Sequence, residues 1–308
     1  MTADLCGFKI YLRYELNRSA HTVDSYMSDI SAFIGFLSVE PEQFHPQDVT
    51  MQDIRAWIGG MAAQGMKPAS LRRKVQSLRA LFRFLIKRKV LTKDPTADIQ
   101  LTKLPRQLPK FVREEEMESL LAEMAANSDG SFPSVRDSLI IEFLYTTGLR
   151  QAELLGISDA DINPLRAQIR IMGKRSKERI LPLPPPLIDK ITEYQKIRND
   201  FFHLPPGNHN FFLTNRGMPM NKTALYRIIN IKLSSTSSEK RSPHVLRHTF
   251  ASSMLNNGAG FMEVKEFLGH ASLNSTQIYT HVSLSELKKS YNQAHPRAIK
   301  NEDHGSDD

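Results

Sequence analysis

At 308 residues the chain has room for two domains. A formal charge of +8 favours a polyanionic partner, and the single cysteine, Cys6, excludes an intrachain disulfide framework and fits a reducing cytoplasm. Acid at Asp4 argues against a signal peptide, and no apolar run approaches the roughly 20 residues that span a bilayer, so a soluble, cytoplasmic protein is expected.

The N-terminal third reads as helices. Leu5 to Leu16 carries apolar residues at helical spacing, and 22–37 repeats the pattern with Val23, Tyr26, Ile30, Phe33, Ile34 and Leu37 on one stripe. Thr50 with Asp53 three residues on forms a capping-box start for a helix through Trp57 and Met61 to Gly65. Pro68 suits the first turn of a fourth helix. There Leu71, Val75, Leu78, Phe82 and Leu85 fall at i, i+4, i+7, i+11 and i+14, a buried stripe. Arg72, Arg79 and Arg83 line up beside it, with Arg73 and Lys87 extending the basic side. Charge runs are usually solvated faces. This one has no acid between Leu71 and Val90, so pairing within the helix does not account for it.

From Asp94 the composition shifts. Asp94-Pro95, Leu104-Pro105 and Leu108-Pro109, interleaved with Lys103, Arg106 and Lys110, read as an extended, semi-rigid linker. The expected division is 1–93 helical domain, 94–112 linker, 113–298 second domain and 299–308 an acidic, disordered tail.

Arg113 to Ala125 predicts a helix whose first turn holds Glu114, Glu115 and Glu116. Acid there complements the helix dipole, a stronger reading than a metal site. Val135 to Tyr145 is an apolar helix ended by Thr146, Thr147 and Gly148, and Glu153 to Leu155 restarts a helix after Arg150. Gln168 to Met172 and Glu178 to Leu183 alternate about a turn at 173–177, giving a β-hairpin with a cationic tip. Helices follow over 187–199 and 222–233. A short strand is expected at Phe211 to Leu213, a turn at 215–217 and a mobile, Ser-rich loop over 234–242. Leu284 to Ala294 is an amphipathic final helix.

Between these last elements lies the densest chemistry. S-P-H-V-L-R-H-T-F-A at 242–251 puts His244 and Arg247 three residues apart on a helix. F-L-G-H-A-S at 267–272 sets His270 just past a glycine helix end. T-Q-I-Y-T-H-V at 276–282 presents Tyr279. Singly, each is more often a surface pair or a half-buried aromatic than a site. Together, a cation, a titratable ring and a nucleophilic phenol in one window suit attack on a phosphodiester.

These three segments resemble the catalytic block of the tyrosine recombinases, the phage integrase family. T-T-G-L-R-Q-A-E-L at 146–154 resembles the family's first arginine box, and G-K-R-S-K-E-R at 173–179 its lysine hairpin, with Arg175-Ser176 where the pattern usually has Gly-Asn. H-P-R-A at 295–298 is similar to the C-terminal tail of the Xer recombinases within that family.

The resemblance implies a mainly helical protein with a small β-sheet or hairpin. A SAM-like core-binding domain and an α+β catalytic domain would close on DNA as a C-shaped clamp. It implies Tyr279 as the nucleophile forming a 3′-phosphotyrosyl link, and Arg150 and Arg247 as phosphate clamps. Lys174 is the implied general acid, His244 the general base or proton relay, and His270 a phosphate hydrogen-bonder. No metal or other cofactor is needed. Arg72, Arg73, Arg79, Arg83 and Lys87 become phosphate contacts on double-stranded DNA. Strand exchange between two duplexes implies a homo- or hetero-tetramer on DNA, with a second Xer-type recombinase and a DNA translocase as further partners and no membrane. The segment after the tyrosine would dock into a neighbouring subunit and control its activity. Chromosome-dimer resolution is the expected role. A mobile-element integrase or invertase, and more remotely a type IB topoisomerase-like enzyme, remain alternatives. A metal-dependent nuclease would instead lose activity to a chelator.

Overall fold

The computed structural model describes residues 2–100, 110–173, 178–269 and 284–297, the side chains of 284–286 excepted. The chain divides into two compact units, Met1–Gln107 and Leu108–Asp308. No described helix is long and apolar enough to cross a membrane.

Four helices build the first unit: α1 (Ala3–Ile10), α2 (Ala20–Phe36), α3 (Met51–Ala63) and α4 (Pro68–Lys87). The expected single helix from Leu5 to Leu16 instead gives way to π-type winding over Tyr11–Glu15, with the Tyr11 ring 4.9 Å from that of Phe84. The predicted capping box is present: Asp53 N–H donates to Thr50 Oγ1 at 3.2 Å, and Thr50 N–H donates to Asp53 Oδ2 at 2.9 Å. α4 buries Val75, Leu78, Phe82 and Leu85 of its stripe and leaves Leu71, in its first turn, half-buried. Leu81 and Phe84 join them, so the apolar face is wider than that stripe. Each such side chain contributes about 1.5–3 kcal/mol on burial. They pack on Phe8, Ile30, Phe33 and Ile54.

The segment from Asp94 to Gln100 does not leave this unit. Thr96 is buried and donates through its hydroxyl and backbone N–H to Asp94 Oδ1, and Ile99 is buried in the helical core. The Asp-Pro signal for an extended linker is overridden here by an Asx-type turn and one apolar anchor. Residues 101–109 lie outside the described residues.

The second unit is built around α6 (Phe132–Thr147), buried on nearly every side and packed by α8 (Pro185–Phe202) and α10 (Pro243–Asn256). α5 (Glu114–Ala126), α7 (Gln151–Leu155), α9 (Lys222–Lys232), α11 (Phe261–Leu268) and α12 (Leu284–Ala294) complete the helices. The final helix has the bounds its amphipathic pattern predicts. An antiparallel sheet runs β1 (Ile162–Asn163), β2 (Gln168–Met172), β3 (Glu178–Pro182), with Ile169 opposite Leu181 and Ile171 opposite Arg179.

One expectation fails in this unit. Phe211 to Leu213 is not a strand: Asn210 bridges Ser158 and Leu213 bridges Pro219, a residue with no N–H to extend a ladder. Tyr194 Oη and Arg198 Nη1 donate instead to the Phe211 carbonyl. The Ser-rich loop over 234–242 is largely exposed but tied to its unit at three points: Thr236 and Ser238 are buried, and Ser237 donates through its N–H and hydroxyl to Glu116 of α5.

After α12 the chain folds back on its own unit. His295 is buried, and Arg297 donates to Glu142 of α6 at 2.7 Å. The acidic tail expected over 299–308 lies outside the described residues.

Candidate active site

α6 ends at Gly148, whose φ of +60° is the left-handed conformation a helix C-terminus favours. A side chain there would also be blocked, since a Cβ would lie 2.4 Å from Phe250. That turn delivers Arg150 to the N-cap of α7. Glu153, three residues on, reaches back to accept from the Arg150 N–H at 2.9 Å and from its Nη1 at 2.7 Å. An N-terminal capping carboxylate and a catalytic-type arginine are thus built from one four-residue segment.

Arg179, from β3, meets the same carboxylate through both arms of its fork: Nη1 to Glu153 Oε1 at 3.0 Å and Nη2 to Oε2 at 2.8 Å. Arg247, from α10, places Nη1 3.9 Å from Glu153 Oε2. Three guanidiniums thus converge on one carboxylate, a cationic setting suited to an anion. Burial alone would push the Glu153 carboxyl up. The hydrogen bonds from Arg179 and Arg150 and their charges outweigh it and hold the carboxyl down at about 2. Burial, then the charge of Arg150, lowers Arg247 to about 10, which still leaves it protonated at neutral pH.

The same three arginines close the end of α11. Arg179 Nε donates to the Phe267 carbonyl at 3.2 Å, Arg247 Nη2 to that of Leu268, and Arg150 Nη2 to that of Gly269 at 3.0 Å. Arg247 Nη1 also donates to the Gly148 carbonyl at 2.7 Å. The orphan carbonyls of a helix C-terminus are therefore capped by tertiary cations.

His244 lies in the first turn of α10 and is exposed, whereas Arg247 on the next turn is buried. The exposed His248 beside them is lowered by partial burial and then by the charges of His244 and Arg247. Of the six sequence-predicted catalytic residues, the structure brings Arg150 and Arg247 together and sets His244 one turn from Arg247. Lys174, His270 and Tyr279 lie outside the described residues.

The basic face of α4 is less uniform than its sequence. Arg73 donates to buried Asp29 of α2, which also accepts from Lys74 and Ser77. Arg79 donates to the Ile99 carbonyl. Lys87 sits over the Tyr11 ring and 3.5 Å from Glu15. Arg72 and Arg83 are exposed, with no hydrogen bond or ion pair among the described residues.

Compared with known proteins, residues 110–286 match the phage integrase family, and residues 5–89 match the N-terminal SAM-like domain of phage integrases. This chain belongs to the phage integrase family. It is 38% identical to the tyrosine recombinase XerC of Listeria innocua, over 94% of this chain and 97% of that one. To XerC of Chlorobaculum parvum it is 33% identical, over 94% of each chain. Among solved structures it resembles XerH site-specific recombinase bound to difH substrate in a pre-cleavage complex, with a TM-score of 0.66 and 21% identity over 88% of this chain and 80% of that chain, a likeness of fold. The chain is a Xer-like site-specific tyrosine recombinase, a DNA strand-exchange enzyme.

In this phage integrase family member the sequence reading missed how far Glu153 and Arg179 organise the site. Both signals were present. Glu153 stands at the capping-box position behind Arg150, and Arg179 occupies a strand position whose cross-strand partner, Ile171, is buried.

Proposed function

We propose that the chain cuts and rejoins double-stranded DNA at a specific site through Tyr279. The phenol oxygen attacks the scissile phosphorus, a 3′-phosphotyrosyl bond forms, and the P–O5′ bond breaks. Lys174 protonates the departing 5′-oxygen, and His244 takes the phenolic proton. Arg150 and Arg247 neutralise the pentacovalent transition state, and His270 hydrogen-bonds a non-bridging oxygen. Attack by the 5′-hydroxyl of a second duplex then reverses each transfer and regenerates Tyr279. No bond energy is lost, so no nucleotide is consumed.

The observation that supports this reading most directly is the junction of Arg150, at the N-cap of α7, and Arg247, from α10, around Glu153. Arg72 and Arg83, exposed on α4, are the side chains best placed to meet a DNA backbone. Two duplexes must be held, so the working form is a tetramer on DNA. Resolution of chromosome dimers, with a second recombinase and a DNA translocase as partners, is the proposed role.

Covalent trapping tests it. Wild-type and Tyr279→Phe proteins are incubated with sheared DNA from the source organism, the reaction is stopped with detergent, and protein-linked 3′ ends are sequenced. Adducts only with Tyr279, enriched at one chromosomal locus, are expected. Adducts that survive Tyr279→Phe would refute the nucleophile. Enrichment at the ends of several elements or at inverted repeats would refute the chromosomal role in favour of a mobile-element recombinase.

A further inference from the structure

We propose that Arg179 is a positioning residue for strand cleavage: it fixes Glu153 and the C-terminal turn of α11, and through them the guanidinium of Arg150, without touching the phosphate. This rests on the reading that Arg150 and Arg247 hold the scissile phosphate.

The strand register makes Arg179 unusual. Residues directly opposite in an antiparallel pair share a face. Arg179 faces Ile171 and, two residues on, Leu181 faces Ile169. All three of those hydrophobic residues are buried, while Ile180 points outward. The alternation calls for an apolar side chain at 179. A guanidinium there costs solvation unless its donors are satisfied. Each of its three nitrogens has an acceptor: Nη1 and Nη2 on the two oxygens of Glu153, Nε on the Phe267 carbonyl. The side chain is 13% exposed, so little of it is open to a phosphate.

The partners decide its role. A structural ion pair needs any carboxylate, but Arg179 takes the one that already holds Arg150 by backbone and side chain. Its other contact is one peptide from the carbonyl that Arg247 holds and two from the one that Arg150 holds. Gly269 lets it fit: a Cβ there would lie 3.0 Å from Arg179 Nη1, and the φ of +60° already favours glycine. In sequence, Gly269 precedes His270, and Arg179 follows Lys174 by five residues. Without Arg179, Glu153 would have Arg150, and Arg247 at 3.9 Å, as its remaining cationic partners, and would draw in the donors that the transition state needs. The loss falls on the rate of cleavage and not on affinity for DNA.

The test uses a duplex whose sequence is read from the trapped 3′ ends, nicked beside the cleavage point so that the adduct accumulates. Single-turnover adduct formation and DNA affinity by mobility shift are measured for each protein. Arg179→Gln is expected to cleave about 100-fold more slowly with affinity within about two-fold of wild type. Glu153→Gln should behave alike, and the double variant should lose clearly less than the product of the two single losses, because both share the Arg179–Glu153 contact. Arg179→Lys, which keeps the charge but lacks the fork, should recover less than about a tenth of the wild-type rate, and it carries the test if Arg179→Gln does not fold. Wild-type cleavage by the Arg179 variant tested, a loss confined to DNA affinity, or multiplicative losses in the double variant would each overturn the proposal. Arg150→Ala in the same assay separates the two readings: wild-type cleavage there refutes the phosphate assignment itself, whatever Arg179 does.

Discussion

Lowering the pH from 7 to 5 should cost the second unit about 2 kcal/mol through one imidazole, His295. The ring is 2% exposed, stacked on Tyr291 at 4.7 Å and flanked by Tyr145 of α6 and Phe250 of α10. Its hydrogen bonds fix a neutral tautomer. Nδ1 accepts from the Arg297 N–H at 3.1 Å, so the proton is on Nε2, which donates to the Tyr145 carbonyl at 3.2 Å. Protonating Nδ1 would break the first bond and bury a charge. The charged groups around it are Arg297 and, bonded to Arg297, Glu142 and Glu118. Burial pushes the imidazole down to about 3, against the Tyr145 hydrogen bond, and the charge of Arg297 pushes the same way. The folded pKa lies below the unfolded value of about 6.5, so the unfolded chain takes the proton first. This stability is fully present above 6.5 and is lost as pH falls from 6.5 toward 3. One proton over the 1.5 units down to pH 5, at 1.36 kcal/mol per unit, gives the magnitude. Urea denaturation at pH 7 and pH 5 measures it, with His295→Gln as the reference that cannot titrate. The wild type should lose about 2 kcal/mol more than the variant over that interval, all other groups being common to both. Parallel losses would show that the imidazole is not held neutral and buried, and the reasoning would fail.

Two further outcomes are expected. Gly148→Ala must adopt a left-handed φ and place its Cβ against Phe250, so it should destabilise the chain by about 2–4 kcal/mol in thermal melts; a change under about 0.5 kcal/mol would contradict the packing. On α4, Arg72→Ala or Arg83→Ala should each reduce the slope of log affinity against log salt by about 0.9 with stability unchanged. Arg73→Ala, which leaves buried Asp29 one partner short, should instead cost about 1–2 kcal/mol of stability.

Local rules made much of the fold readable before any coordinates. The α4 stripe, the Thr50 capping box, the hairpin of β2 and β3, and α12 each depend on contacts within about four residues or on strict alternation. The misses share a different cause. Arg73 and Arg79 find partners 44 and 20 residues away, Asp29 and the Ile99 carbonyl, which no inspection of α4 alone supplies. Asp94-Pro95 reads as a linker, yet buried Thr96 and Ile99 tie the segment down. Leu213 has strand composition, but its bridge partner, Pro219, is a proline.

At the site the same division has a chemical meaning. Motifs exposed Arg150 and Arg247 because their spacing is local, but what orients them is not. Three arginines from an α7 N-cap, a strand and α10 donate to three successive carbonyls, 267–269, at the end of α11. Helix ends are usually read as capped by their own neighbours, so this cap is invisible to a sequence pattern. In the proposed chemistry it sets up an exchange of acceptors. A guanidinium bound to a neutral carbonyl is already desolvated and already aimed. A phosphoryl oxygen carrying charge makes the stronger bond, by roughly a factor of two in hydrogen-bond energy. Arg150 and Arg247 therefore change partner without first shedding water while Arg179 stays in place, and the small reorganisation this demands is what makes a preorganised cationic site effective against a developing negative charge.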